Sequence, residues 1–125
     1  MESIATKQVV ESYHAQRSAG IFSGIEALLA KDFHFESPLM RFENTRDHLE
    51  AVIDFHQVVK GYDMISALFG ENEAILVYEL RTITPVAIQP TAEYFHVIDG
   101  KIDYIKLIFD ASPWQAVMGA MQQAR

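Results

Sequence analysis

Thr91-Ala92-Glu93-Tyr94-Phe95-His96-Val97-Ile98-Asp99-Gly100-Lys101-Ile102-Asp103-Tyr104-Ile105-Lys106-Leu107-Ile108-Phe109-Asp110 divides at Asp99-Gly100 into two extended runs. A two-residue primed turn needs positive φ at both central positions, and Asp-Gly meets that need with little strain. Thr91–Ile98 and Lys101–Asp110 are therefore expected to pair as an antiparallel hairpin. Alternate residues of a strand share a face, and Phe95, Val97, Ile105, Leu107 and Phe109 are expected on one face of the sheet and Tyr94, Ile98, Tyr104 and Ile108 on the other. Both faces are apolar, so both need cover. The first set is expected to meet a core, and the second to form the contact surface of a homodimer.

Two more extended runs precede the hairpin, Tyr62–Phe69 and Ala74–Thr84, separated by Gly70-Glu71-Asn72-Glu73 and followed by the Pro85 to Pro90 loop. Upstream the periodicity is helical. Ile4, Val9, Val10 and Tyr13 predict a helix over Glu2–Arg17 that Gly20 stops, and Ser23 with Glu26 forms an S-x-x-E capping box for a short second helix through Ile25, Leu28 and Leu29. Asp32–Pro38 reads as a strand, with Phe33, Phe35 and Ser37 on one face and His34 and Glu36 on the other. A third helix starts at Asn44 or Thr45 with the stripe Leu49, Val52, Ile53, His56 and Val59, and Gly61 is expected to end it. After the hairpin, Ser112 and Pro113 open a C-terminal helix whose face carries Trp114, Val117, Met118 and Met121, a lid for a pocket or a partner contact. The expectation is an α+β fold in one domain over residues 1–125, its curved, mostly antiparallel sheet covered on one face by helices.

Composition narrows the function. The 125 residues are 50% hydrophobic and 22% charged, which suits one globular core. Seventeen acidic against 10 basic residues give a net charge of -7, so a nucleic-acid or membrane-surface partner is not expected. Without Cys there is no thiolate metal site and no thiol nucleophile. No phosphate-binding glycine loop appears, so no nucleotide, flavin or nicotinamide cofactor is expected. Met1–Ser12 is polar where a secretory leader would be basic and then apolar, and no apolar run has the roughly 20 residues of a membrane span, so the cytoplasm is the expected location.

The order of elements and three local strings resemble a known superfamily. Gly20-Ile21-Phe22-Ser23-Gly24-Ile25-Glu26-Ala27-Leu28-Leu29-Ala30, Asp32-Phe33-His34-Phe35-Glu36-Ser37-Pro38, and Asp99-Gly100-Lys101-Ile102 with Phe109-Asp110 are similar to stretches of the nuclear-transport-factor-two-like proteins, in particular the SnoaL-like, ketosteroid-isomerase-like and polyketide-cyclase-like members. The resemblance implies a cystatin-like cone, a curved sheet wrapped around N-terminal helices with an apolar pocket between them. It implies a pocket protein for a small apolar organic molecule, either a cofactor-free isomerase, lyase or hydrolase using general acid-base chemistry, or a non-catalytic ligand-binding or dimerisation module.

The same resemblance supplies the site residues. Tyr13, seven residues before Gly20, matches the tyrosine that donates to a substrate oxygen, and Glu93 lies near a second donor held protonated by an apolar site. Ser37 stands where the isomerases carry a catalytic aspartate. Asp110 and Arg81 are similar to two members of an Asp-Arg-Asp set in limonene epoxide hydrolases, and Ile83 falls at the third place. Asp110 or His34 would carry the proton, with Phe33, Phe35 and Phe109 as walls and Ser37 and His56 as further lining. Each has a plainer reading: Tyr13 and His56 as core residues, Glu93 as a buried or strand-end acid, Asp110 as a turn acceptor, and Arg81 with Glu79 as an ion pair. His34, Glu36 and His96 could hold a metal, but their short spacing stands alone and no metal site is expected.

Overall fold

The computed structural model describes residues 4–123. Its elements run α1 (Ile4–Ala19), a 3-10 turn (Glu26–Leu28), β1 (Leu29–Glu36), β2 (Arg41–Phe42), α2 (Thr45–His56), β3 (Val59–Phe69), β4 (Glu73–Thr82), β5 (Ile88–Ile98), β6 (Lys101–Ile108) and α3 (Ser112–Gln123). The six strands make one sheet in the order β2-β1-β6-β5-β4-β3, in which β1 runs parallel to β6 and every other neighbour is antiparallel. The architecture is α+β, a curved and unclosed mixed sheet with helices against its inner face. No described helix is long and apolar enough to cross a membrane.

The β5–β6 hairpin forms as its turn chemistry requires, with Asp99 at φ 51° and Gly100 at φ 75°. Register shifts in β1, β3 and the β5–β6 pair bend the sheet, because an extra residue on one strand increases the local twist. The inner face and α1 then bury Val10, Tyr13, Ile25, Phe33, Phe95, Ile102 and Ile105 at 1% exposure or less. Each such large apolar side chain contributes about 1.5 to 3 kcal/mol relative to an exposed one.

Several local expectations need correction. Ile4 is 75% exposed, and α1 instead buries Thr6, Val9, Val10, Tyr13 and Arg17; the predicted start at Glu2 lies outside the described residues. Ser23 and Glu26 make no capping box. The chain turns straight into β1, and the Phe22 and Ile25 carbonyls satisfy the amides of Ile25 and Leu28 through the backbone. Asn44 does cap α2, its side chain accepting from the Asp47 amide at 2.8 Å. The buried phase of that helix is one residue off the expected stripe, with His48 at 1% exposure and Ile53 at 42%. Gly61 lies inside β3, where a Cβ would come within 2.5 Å of Arg81 Nη2. Arg81 pairs with Asp63 at 2.7 Å across the β3–β4 ladder, where a partner on the next strand stands closer than Glu79 two residues along its own.

On the outer face, Tyr94 and Tyr104 bring their rings to 6.1 Å while Ile98 and Ile108 stay about half exposed. The α3 stripe covers the open end of the inner face through Trp114, which packs on Phe55 and donates its indole N–H to Gln89 Oε1. The side chain of Met121 lies outside the described residues.

Candidate functional site

Between the inner face of the sheet, α1, α2 and the start of α3 lies a cavity of about 540 Å³. Its wall is mostly apolar, with Phe35, Phe42, Val52, Leu80, Leu107 and Phe109 among the contributors. Polar residues line it from each framing element: Tyr13 and Arg17 from α1, His48, Asp54 and His56 from α2, Tyr62 from β3, Tyr78 from β4, Gln89 from β5 and Trp114 from α3, with Ser37 at the turn after β1.

Tyr13 stands on the inward face of α1, one turn beyond Val9, and its hydroxyl oxygen lies 2.8 Å from His48 Nε2. Burial pushes the Tyr13 phenol well above its ordinary pKa, and the opposing charge of Arg17 offsets only part of that. Burial, with the Arg17 charge second, lowers His48 to about 3. A neutral phenol and a neutral imidazole therefore face each other at the cavity wall.

One turn further along α1, Arg17 donates from Nη1 to Glu93 Oε2 at 2.7 Å and from Nη2 to Glu93 Oε1 at 2.8 Å, while the Tyr78 hydroxyl donates to Oε1 at 3.0 Å. The guanidinium carbon sits 5.0 to 5.9 Å from the rings of Tyr13, Tyr62 and Tyr78. Burial opposes the Arg17 charge, and Glu93 with the surrounding tyrosines outweighs it, so its pKa lies well above the usual arginine value. The adjacent His14, whose Nδ1 is 2.8 Å from Arg17 Nη2, falls to about 4 through burial first and the Arg17 charge second.

The residues singled out from the sequence divide between this cavity and elsewhere. Tyr13, Phe35, Ser37, His56 and Phe109 line it. Ser37 accepts the amides of Leu39 and Met40 in the turn after β1, so it shapes the rim, and His56 packs edge-on against Phe22. Gly20, at φ +73°, makes room for His56, since a Cβ there would stand 2.7 Å from Nε2.

Phe33 is buried behind the wall against the His48 ring. His34 stacks on Tyr104 on the outer face, and His96 pairs with Asp103 at 2.6 Å. Glu93 lies behind Arg17 and accepts three hydrogen bonds, an arrangement opposite to that of a protonated donor aimed at a ligand. Asp110 is exposed, accepts the Ser112 amide at 3.0 Å, and is lowered in pKa by that bond. Neither Asp110 nor Arg81 lines the cavity, and Ile83 is 67% exposed, so the hydrolase-like set is not assembled.

Arg17 and His48 were not singled out from the sequence, yet each carried a signal. Arg17 continues the Val10–Tyr13 stripe by one turn, and His48 is one turn after the N-cap on the face that also holds Val52.

No family model matches the chain, and no curated protein matches it in sequence. Solved structures do. A protein from Kribbella flavida DSM 17836 is 25% identical over 97% of this chain and 99% of its own, with a TM-score of 0.85. An NTF2-like protein of unknown function from Cytophaga hutchinsonii is 18% identical over 90% of this chain and 96% of its own, with a TM-score of 0.77. The chain has the nuclear-transport-factor-two-like fold. A steroid delta-isomerase from Pseudomonas aeruginosa shares that fold at 16% identity over 98% of this chain and 93% of its own, with a TM-score of 0.79. Because the fold carries many chemistries, the nuclear-transport-factor-two-like assignment places the cavity and leaves the reaction to the residues around it.

Proposed function

We propose that this protein binds a compact, mostly apolar organic molecule in the cavity, with a polar atom of that molecule set against the Tyr13 hydroxyl. The observation that carries the reading is an apolar cavity of about 540 Å³, within the size range of small-molecule sites, with the buried Tyr13–His48 pair on its wall. The presence of a steroid delta-isomerase among the fold neighbours is consistent with an apolar ligand.

Of the three residues expected to be catalytic, Tyr13 alone lines the cavity, so ligand binding takes precedence over catalysis in this reading. If chemistry occurs, it is cofactor-free acid-base chemistry with Tyr13 as the hydrogen-bond donor and His56 as the proton carrier within the same cavity. The protein acts in the cytoplasm as a homodimer joined through Tyr94, Ile98, Tyr104 and Ile108, a reading supported by the two half-exposed isoleucines.

The chain's single tryptophan, Trp114, lies on the cavity wall and serves as the probe. Titration with fluorenone, whose carbonyl oxygen can meet the Tyr13 hydroxyl, should change its fluorescence saturably at one ligand per chain and raise the melting temperature, and Ala51→Trp, which fills the cavity, should abolish the thermal shift. A wild-type protein that gives neither a saturable signal nor a thermal shift is not a ligand-binding protein of this kind.

A further inference from the structure

His48 stands against the Tyr13 hydroxyl at the cavity wall. Its ring is enclosed by Phe33 at 4.8 Å, Phe35 at 4.7 Å, Phe42 at 6.5 Å and Tyr13 at 6.2 Å between centroids. Nε2 faces the Tyr13 hydroxyl, and Nδ1 is buried with no hydrogen-bond partner among the described residues. With a pKa lowered to about 3 by burial and then by Arg17, the imidazole is neutral and carries one proton.

That proton has two possible places. On Nδ1 it would make a buried N–H enclosed by aromatic rings with no acceptor, and Nε2 would then hold the Tyr13 proton. On Nε2 it donates to the Tyr13 oxygen, and the group left without a partner is only a lone pair. An orphaned buried N–H is the rarer and costlier of the two.

We propose that His48 is a positioning residue: its Nε2–H donates to the Tyr13 oxygen, leaves the Tyr13 hydroxyl proton to the cavity, and so selects ligands that present a hydrogen-bond acceptor, such as a carbonyl oxygen, over ligands that present only a donor. This rests on the reading of the cavity as a ligand site and goes further, since Tyr13 alone could either donate or accept. The phenol keeps its proton because burial raises its pKa. Arg17 also lines the cavity: Nη1 and Nη2 each give a hydrogen to Glu93, Nη2 gives its other toward His14, and Nε is buried without a partner among the described residues, so loss of the acceptor preference in Tyr13→Phe is what assigns it to Tyr13 rather than to Arg17.

Three rigid tricycles of similar shape test it: fluorenone, with an acceptor only; carbazole, with a donor only; and fluorene, with neither. Wild-type protein should bind fluorenone about tenfold more tightly than fluorene, as one hydrogen bond implies, and carbazole no better than fluorene. In Tyr13→Phe the three affinities should converge. In His48→Phe the Tyr13 oxygen becomes free to accept, so the fluorenone-to-carbazole ratio should fall toward one. Should that variant fail to fold, nitrogen NMR of histidine-labelled wild-type protein still decides, with a proton expected on His48 Nε2 and a bare Nδ1. A proton on Nδ1, or a preference for carbazole in the wild type, overturns the proposal while leaving the ligand site standing. Failure of all three tricycles to bind removes the ligand site and this inference together.

Discussion

Arg17 and Glu93, 76 residues apart in the chain, meet in the interior through two parallel hydrogen bonds of 2.7 and 2.8 Å, with both side chains at 8% exposure or less. The pair ties α1 to β5 beneath the cavity, and Tyr78 closes the carboxylate's remaining capacity. A buried pair of this kind is expensive to break from one side, because the survivor keeps its charge and loses its partner.

Glu93→Gln should therefore destabilise the protein by about 3 to 5 kcal/mol at neutral pH. Replacing both partners with apolar residues of similar volume, as in Arg17→Met with Glu93→Leu, should cost less than the single change. Urea unfolding of both variants measures this. A near-neutral Glu93→Gln would show that the fold does not depend on a charged Arg17–Glu93 pair.

Tyr13→Phe removes the hydroxyl that His48 Nε2 meets at 2.8 Å. The expected loss of stability is about 1 kcal/mol, the net worth of an ordinary buried hydrogen bond, since the neighbouring cavity can admit water to the imidazole. Thermal melts of the variant test the stability term. A loss several times larger would show that the hydroxyl is closed off from the cavity.

Stability should fall on acidification below about pH 6.5, the ordinary histidine value. His48 is held at about 3 and His14 at about 4 in the folded chain, each by burial first and the Arg17 charge second. Between the unfolded and folded values the unfolded chain binds more protons, so the stability present above pH 6.5 is lost progressively as pH drops toward 3. For His48 alone the slope approaches about 1.4 kcal/mol per pH unit. Unfolding midpoints at pH 7, 6 and 5 would show it, and His48→Gln should flatten the decline.

Ile108→Glu places a charge on the outer sheet face beside Tyr94 and Tyr104 without touching the inner core. If that face joins two copies, the buried charge costs several kcal/mol and sedimentation should show dimer giving way to monomer, with the melting temperature of the variant losing the dependence on protein concentration that a dimer shows. A wild-type monomer at micromolar concentration would overturn the dimer reading.

Local chemistry made most of the fold legible. Asp99-Gly100 specified its hairpin because a primed turn depends only on the φ preferences of two residues, and Asn44 specified the start of α2 because a cap needs only an acceptor three residues before an amide. Tyr13 was legible as an inward residue for the same reason, since 3.6-residue periodicity is a property of one segment.

The candidate site depended on tertiary structure. His48 and Tyr13 are 35 residues apart and Arg17 and Glu93 are 76 apart, so no spacing along the chain announces either contact; the bend of the sheet and the rotation of α2 about its own axis bring them together. A shift of one residue in that rotation moved His48 inward and Ile53 outward. Glu93 and Asp110 lie off the cavity because hydrogen-bond partners reach them first, Arg17 and Tyr78 for one and the Ser112 amide for the other. Periodicity tells which face of an element turns inward, but a polar side chain on that face is committed by the neighbour that satisfies it, and that neighbour is chosen only when the elements pack.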